Sequence, residues 1–274
     1  MYQETIATLV EAGERKVTGI RENMLGFFIG AVMAGAYIGF GNIIMYSVTA
    51  HVDAAWVRLV SGAVFSAALT IVIFAGSELF TGTAMYMPLA VLSRRATFSQ
   101  LLGVWATTWL GNLVGAVTLA ALFKATGGGV LLGDGREHFV AAVGTKISAP
   151  GSELFFKGVL CNWLVCLAIW MCNRTSDASA KIFLIFWPIT IFVSAGFEHS
   201  VANMFTLSLA LMSSGDSGIT VIDACRNLFW VTAGNIVGGS IFVAFGYWLQ
   251  EHGIGHEGHA KIAPAEVPAP KTSH

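Results

Sequence analysis

Six long stretches of apolar residues, separated by short polar segments, form the main pattern of this chain. They occupy residues 24–47, 57–92, 98–123, 153–173, 179–213 and 227–249. Their apolar positions do not alternate with a period of two, and a helix needs about 20 such residues to cross a bilayer. The pattern therefore predicts an all-α membrane protein with six transmembrane helices.

The second and fifth stretches are too long for one straight crossing, and each contains a polar interruption. The interruptions are Ser-Glu-Leu-Phe-Thr-Gly at 77–82 and Glu-His-Ser-Val-Ala-Asn at 198–203. Polar backbone at membrane depth must be satisfied by protein or water and not by lipid. We expect helices 2 and 5 to be broken there, and a long, tilted, kinked helix is the alternative.

The two halves of the chain resemble each other. Ala-Gly-Ser-Glu at 75–78 matches Ala-Gly-Phe-Glu 120 residues later, and Gly-Asn-Leu-Val-Gly at 111–115 matches Gly-Asn-Ile-Val-Gly 123 residues later. Each copy of the repeat contains three spans. Because three is an odd number, the two copies must enter the membrane in opposite directions. The sequence thus predicts two inverted three-helix repeats, with a substrate site near the midplane.

The chain divides into three regions. Residues 1–23 carry Ile6, Leu9, Val10, Val17 and Ile20 at helical spacing, which predicts an amphipathic N-terminal helix on the membrane or against the bundle. Residues 24–250 form the six-helix transmembrane pore domain. Residues 251–274 contain several prolines and predict a disordered tail.

Composition narrows the class of protein. The chain is 55% hydrophobic and 11% charged, whereas a soluble domain carries roughly 25% charged residues. A net charge of −1 with 15 basic and 16 acidic residues offers nothing to a nucleic acid. Because no catalytic or metal-binding motif occurs, we expect no enzyme activity, no metal site and no cofactor.

Basic residues indicate the orientation. With an inside N-terminus, nine Lys and Arg residues fall in inner segments and five in outer segments. This bias predicts that both termini are cytoplasmic.

One histidine stands out. His199 is the only histidine within the apolar segments, and it lies in the second interruption. An ionisable residue inside a bilayer indicates function, and an imidazole can donate a hydrogen bond or a proton. The repeat-related Glu78 and Glu198 are predicted to be structural, accepting from backbone N–H groups of the breaks. Thr81 can offer a hydroxyl to an anion, and Lys146 either attracts anions at the outer mouth or is a solvated loop lysine.

Four motifs resemble the formate/nitrite transporter family. They lie at 75–82, 108–115, 160–171 and 197–204, and Phe-Phe-Lys-Gly at 155–158 resembles the nitrite branch. The resemblance covers residues 1 to about 250.

This resemblance implies an aquaporin-like protomer, one pore per subunit of a homopentamer, and the cytoplasmic (inner) membrane of a bacterium. It places Thr81 on the loop that breaks helix 2, in the substrate pore, and His199 as the central pore histidine. It also places Lys146 in a vestibule and Asn162 near the central histidine. The buried amide of Asn235 is a further pore candidate, predicted from the residues alone. The implied constrictions are Leu69, Leu79 and Phe80 on the cytoplasmic side, and Phe65, Val165 and Phe192 on the outer side.

The predicted function is transmembrane transport of nitrite, with protons, the lipid bilayer and small anions as partners. A formate or hydrosulfide channel of the same family is the alternative. A neutral-solute channel of the water or polyol type belongs to another class and usually carries paired Asn-Pro-Ala motifs, which this sequence lacks. The sequence leaves channel conduction and proton-coupled transport equally open.

Overall fold

The computed structural model describes residues 2–213 and 218–253, and within them it contains helices and no strand. In chain order the helices are α1 (Gln3–Glu22), α2 (Met24–Thr49), α3 (Val57–Ala75), α4 (Phe80–Leu92), α5 (Phe98–Ala125), α6 (Gly129–Leu132), α7 (Arg136–Ser148), α8 (Gly151–Cys172), α9 (Ala178–Ser194), α10 (Ser200–Met212), α11 (Val221–Val237), a π-helix (Gly238–Phe245) and α12 (Gly246–His252). Residues 254–274 of the predicted tail lie outside the described residues.

Five helical stretches are long and apolar enough to cross a membrane. They are Met24–Thr49, Val57–Ala75, Phe98–Ala125, Gly151–Cys172 and Val221–His252. Three shorter apolar helices, α4, α9 and α10, lie within the second and fifth predicted segments. The described chain is therefore all-helical, as predicted, and has helices of membrane-spanning length.

One helix ends and another begins at both predicted interruptions. Residues 76–79, here the first breach, separate α3 from α4, and residues 195–199, the second breach, separate α9 from α10. Gly76 has a φ of 70° and Gly196 a φ of 74°. This left-handed conformation ends a helix at little cost only for glycine, which explains why a glycine lies near the start of each breach.

The Gly-Asn-x-Val-Gly motifs let helices approach closely. A Cβ atom on Gly115 of α5 would lie 1.8 Å from the Val32 carbonyl oxygen of α2, and one on Gly238 would lie 2.3 Å from the Val159 carbonyl oxygen of α8. Small residues four apart allow such backbone contact between helices in membranes. The motif therefore packs α5 on α2 in one half of the chain. In the other half it packs the end of α11 and the start of the π-helix on α8.

The helix α1 lies against the bundle and not apart from it. Its apolar side buries Leu9 and Val10, and it packs on α4. At its start, the Tyr2 amide donates to Oε2 of Glu251 at 2.9 Å, and the Tyr2 ring lies 5.3 Å from that of Tyr247. The beginning of α1 therefore meets the end of the last helix.

Candidate functional site

The first breach is held by one asparagine of α5. Oδ1 of Asn112 accepts from the Phe80 amide at 2.9 Å. Nδ2 donates to the carbonyls of Ala31 at 2.7 Å and Glu78 at 2.9 Å. A helix start leaves N–H groups without intrahelical partners, so this side chain satisfies one of them and ties the breach to α2.

The second breach is held in the same way by Asn235 of α11. Its Oδ1 accepts from the Ser200 amide at 2.9 Å, and its Nδ2 donates to the carbonyls of Gly158 at 2.8 Å and Glu198 at 3.0 Å. We call each asparagine with its three partners an asparagine clamp. Asn235, predicted at the substrate pore, thus belongs to the frame that fixes the second breach.

Thr81 and His199 meet where the two breaches come together. Oγ1 of Thr81 lies 3.2 Å from Nε2 of His199, and both residues are buried. Nδ1 of His199 accepts from the Ala202 amide at 3.2 Å, which caps the start of α10. A ring nitrogen that accepts carries no proton, so the neutral ring bears its proton on Nε2 and donates to Thr81. The Thr81 hydroxyl hydrogen remains available for another acceptor.

Asn162 and Cys166 of α8 hold the carbonyl side of Thr81. Nδ2 of Asn162 donates to the Thr81 carbonyl at 3.1 Å and to the Asn235 carbonyl at 2.6 Å. Sγ of Cys166 lies 3.4 Å from the same Thr81 oxygen. Asn162 therefore lies beside Thr81 and connects it to Asn235 of the second asparagine clamp.

A cavity of about 310 Å³ opens on one side of His199. Its lining includes Asn42, Tyr46, Phe65, His138, Lys146, Phe192, Glu198 and His199. The rings of Phe65 and Phe192 meet edge to face at 6.1 Å, and Phe192 also stacks on the His199 imidazole at 6.1 Å. An apolar aromatic pair therefore adjoins the histidine at this cavity, which we call the Lys146 cavity.

Lys146 and Glu198 form an ion pair within this cavity. Nζ lies 2.8 and 3.0 Å from the two carboxylate oxygens, and Nδ2 of Asn203 donates to the same carboxylate at 2.6 Å. Burial lowers the pKa of Lys146, but the Glu198 charge and its hydrogen bonds raise it more, and the net result lies above the ordinary value. Lys146 is thus charged and ordered, and it is not a solvated loop lysine.

A second lysine–glutamate pair lies at the first breach. Lys16 of α1 donates to the Glu78 carboxylate, and its Nζ also lies 4.9 Å above the Tyr86 ring. Sequence reasoning missed Lys16, because helical periodicity showed the apolar side of α1 but not what its polar residues meet. Each breach carboxylate therefore has a lysine partner from a helix outside the interrupted pair.

The predicted constriction residues separate into two groups. Phe65 and Phe192 line the Lys146 cavity. Leu69, Leu79, Phe80 and Val165 are buried in the apolar core and do not line it. The first group thus adjoins His199 from this cavity, whereas the second lies within packed protein.

Two further polar residues of the cavity escaped sequence reasoning. Nδ2 of Asn42 donates to the Ala202 carbonyl at 2.8 Å. Nε2 of His138 lies 3.0 Å from Oγ1 of Thr49, whose hydroxyl donates to Met45 at 2.7 Å, so the imidazole is the donor. Burial lowers the pKa of His138. Neither residue is in a motif, and only proximity in the fold identifies them.

The described residues contain no group of three or more His, Cys, Asp or Glu side chains placed to hold a metal ion. Helices long and apolar enough to cross a membrane surround two breaches, where Thr81 meets His199 and each breach carboxylate pairs with a lysine. Such an arrangement defines an integral membrane protein of the transporter and channel class.

The chain belongs to the formate/nitrite transporter family, because the family model described as formate/nitrite transporter matches residues 3–249. It is 41% identical over 270 residues to the nitrite transporter NirC of Salmonella typhimurium, covering 98% of this chain and 99% of that protein. The family and its nitrite branch, predicted from the motifs, are confirmed.

Solved structures agree with this assignment. An FNT family ion channel superposes with a TM-score of 0.87 at 42% identity, covering 90% of this chain and 99% of that one. A pentameric formate channel with formate bound superposes with a TM-score of 0.70 at 30% identity, covering 82% of this chain and 96% of that one. These relatives are transporters and channels.

Proposed function

We propose that this protein conducts nitrite, a small monovalent anion, through a pore in each subunit, with Thr81 and His199 at its centre. The observation that carries the proposal is the contact between these two side chains where the breaches meet. The identity to NirC over nearly the full chain supports nitrite. The formate channel with formate bound supports formate as a competing substrate, and hydrosulfide is a third anion of similar size and charge.

The pore has six spans in two inverted repeats. The spans are α2, α3 with α4, α5, α8, α9 with α10, and α11 with the π-helix and α12. Two asparagine clamps with equivalent donors and acceptors support this arrangement. Two backbone hydrogen bonds at equivalent positions also support it. The Glu78 amide donates to the Gly30 carbonyl, and the Glu198 amide donates to the Lys157 carbonyl. An inverted repeat puts both breaches at one depth, near the midplane.

The pore lowers the cost of taking an anion out of water. That cost is of the order of tens of kcal/mol for an isolated ion in hydrocarbon. Lys146 supplies positive charge beside the outer cavity, and its pairing with Glu198 keeps it in place. The Thr81 hydroxyl, fixed by the His199 imidazole, then offers a donor at the centre. The Phe65–Phe192 pair excludes water between these two points.

Proton exchange with the substrate is coupled to the cap of α10. Transfer of the Nε2 proton to nitrite leaves a neutral ring only when Nδ1 has first taken a proton. Nδ1 accepts from the Ala202 amide in this structure, so that proton displaces the cap. Channel conduction with a neutral, capped His199 and proton-coupled transport with an uncapped His199 are therefore two distinguishable states.

We also propose a homopentamer in the bacterial cytoplasmic membrane with both termini in the cytoplasm. The pentameric assembly of the formate channel that this chain resembles supports the first point. The excess of basic residues in the inner segments supports the second. In this orientation the Lys146 cavity is the outer vestibule, and α1 with Lys16 covers the inner side.

Flux measurements on proteoliposomes test the function. Vesicles containing the purified protein are loaded with a pH-sensitive dye and followed at the same time by light scattering, which reports the volume change that any entering solute causes. Nitrite, formate, hydrosulfide and the neutral solute glycerol are applied in turn. We expect nitrite to enter fastest and glycerol not to enter. Equal entry of glycerol and nitrite contradicts an anion pore and favours a neutral-solute channel.

A further inference from the structure

The helix that carries Thr81 contains a proline about two turns beyond it. Pro88 of α4 has no backbone N–H, so the carbonyl of Ala84, four residues earlier, does not receive its usual helical hydrogen bond. Ala84 is fully buried, so water does not supply the missing donor. A buried carbonyl in this position requires a donor from elsewhere in the protein.

The π-helix supplies that donor. Oγ of Ser240 donates to the Ala84 carbonyl at 2.9 Å. Ser240 lies in the π-helix, whose turns each hold one residue more than an α-turn and so shift the following residues around the helix axis. The neighbouring Gly239 has no side chain, and a Cβ there would lie 3.0 Å from the Cβ of Ala84. The wide turn and the glycine bring the serine hydroxyl onto α4.

The same turn of α4 sets the position of Thr81. The Thr81 carbonyl receives Asn162 and Cys166 of α8, while its hydroxyl meets His199. Thr81 and Ala84 are three residues apart, so they lie on one side of the helix. Side chains from α8 and the π-helix therefore hold this side of α4 at both ends of one turn.

We propose that Ser240 is a positioning residue for Thr81: its hydroxyl replaces the N–H that Pro88 lacks and fixes the turn of α4 that presents Thr81 to His199. This inference rests on the proposed anion pore. It also assigns a role to the π-helix. If the α-helix continued without interruption after Val237, residue 240 would face a different direction and would not point at the Ala84 carbonyl of α4.

A double-mutant cycle tests the proposal. Ser240→Ala removes the hydroxyl, and Pro88→Ala returns a backbone N–H to the Ala84 carbonyl. We expect Ser240→Ala alone to lower nitrite flux roughly fivefold, the change that corresponds to one hydrogen bond, and to alter the nitrite-to-formate flux ratio. In the Pro88→Ala background the same substitution should change flux less than about twofold, because Ala84 then has its own helical donor.

A second measurement does not depend on transport. Hydrogen exchange of the peptide 80–92 should quicken in Ser240→Ala and return to the reference rate in the double variant. Thr107→Val is the matched control, because Thr107 is half-buried and its hydroxyl donates to Gly103 of its own helix. Equal losses of flux in both backgrounds, or unchanged exchange of 80–92 in Ser240→Ala, overturn the proposal. Absence of anion flux in the wild-type protein refutes the pore instead, and hydrogen exchange still tests the contact.

Discussion

Thr81 and His199 stand 118 residues apart in the chain, yet Oγ1 of one lies 3.2 Å from Nε2 of the other. Thr81 lies just after the first breach and His199 ends the second, so the contact forms only when both breaches are correctly placed. Because the imidazole also caps α10 through Nδ1, one ring joins the structure of the second breach to the hydroxyl at the start of α4.

Two substitutions of His199 should separate its role as the N-cap of α10 from its role as a proton donor to the substrate. His199→Asn keeps a side chain that caps helices well, whereas His199→Phe removes the cap, which costs about 1 kcal/mol. We expect both to abolish nitrite-linked proton movement, and only His199→Phe to lower the melting temperature of the purified oligomer. Paired nitrite and internal-pH recordings check this. Proton movement at the wild-type ratio in either variant shows that His199 is a structural histidine.

Removing Lys146 should lower both the stability and the nitrite flux, and a second substitution at Glu198 should distinguish the two effects. Lys146→Gln leaves the buried Glu198 carboxylate without its cation, a change that costs about 3–5 kcal/mol. The double variant with Glu198→Gln should regain most of the stability but not the nitrite flux, because the positive charge stays absent. Thermal unfolding and flux at two ionic strengths measure the two effects, with the larger flux loss at low salt.

Lys181→Gln is the control for that series, because Lys181 lies at the start of α9 and does not line the Lys146 cavity. Full recovery of flux in the double variant is incompatible with a role of Lys146 in drawing anions.

The asparagine clamps should be equally important for stability. Asn112→Ala leaves the buried Phe80 amide without its acceptor, and Asn235→Ala does the same to Ser200. Each lost partner costs about 1–3 kcal/mol, so both variants should melt earlier by similar amounts. Asn173→Ala is the control, since Asn173 is exposed and its amide bonds to its own helix. A large effect at only one clamp contradicts their equivalence.

Outer pH should act through His138. Burial lowers its pKa below the usual value near 6.5, so the ring is neutral at pH 7.5 and gains charge only as the outer pH falls. Tyr46, Lys146 and Glu198 share its cavity. One added charge is worth about 1 kcal/mol at 4 Å in water, so wild-type flux relative to His138→Gln should rise by at most roughly fivefold in acid. A constant ratio from pH 7.5 to 5 shows that His138 does not influence the anion.

Cysteine labelling tests the orientation. With the exposed Cys225 replaced by serine, cysteines at positions 95 and 177 should react only in opened vesicles. A cysteine at position 126, between α5 and α6, should react in sealed cells. Labelling of position 95 or 177 from outside reverses the assigned topology.

The sequence predicted the breaches well because their chemistry is local. A polar run inside an apolar segment and a glycine that tolerates φ of 70° are visible without any partner. The lysine partners were not visible, because Lys16 and Glu78 are 62 residues apart and helical periodicity does not encode which helices meet. The contact of Thr81 with His199 was not predicted either, because the two residues are 118 positions apart and the family resemblance named each of them separately.

The π-helix shows a different limit. Residues 238–245 are apolar apart from Ser240, and hydropathy alone predicts an ordinary continuation of the span. The wide turns depend on the fit of Gly239 against Ala84 and α8, where a Cβ would come within 3.0 Å of three side chains. Such a fit follows from three helices at once and leaves no mark in the hydrophobic pattern.

The meeting of Tyr2 with Glu251 and Tyr247 has a consequence for chain order. Because the two ends of the described helical core touch, a short linker from Gly253 to Tyr2 permits circular permutation, with new ends cut beside the exposed Gly127 between α5 and α6. In the permuted chain the half that contains His199 is translated first. We expect both halves to find the same contacts, because those contacts join side chains and do not depend on which half is synthesised first.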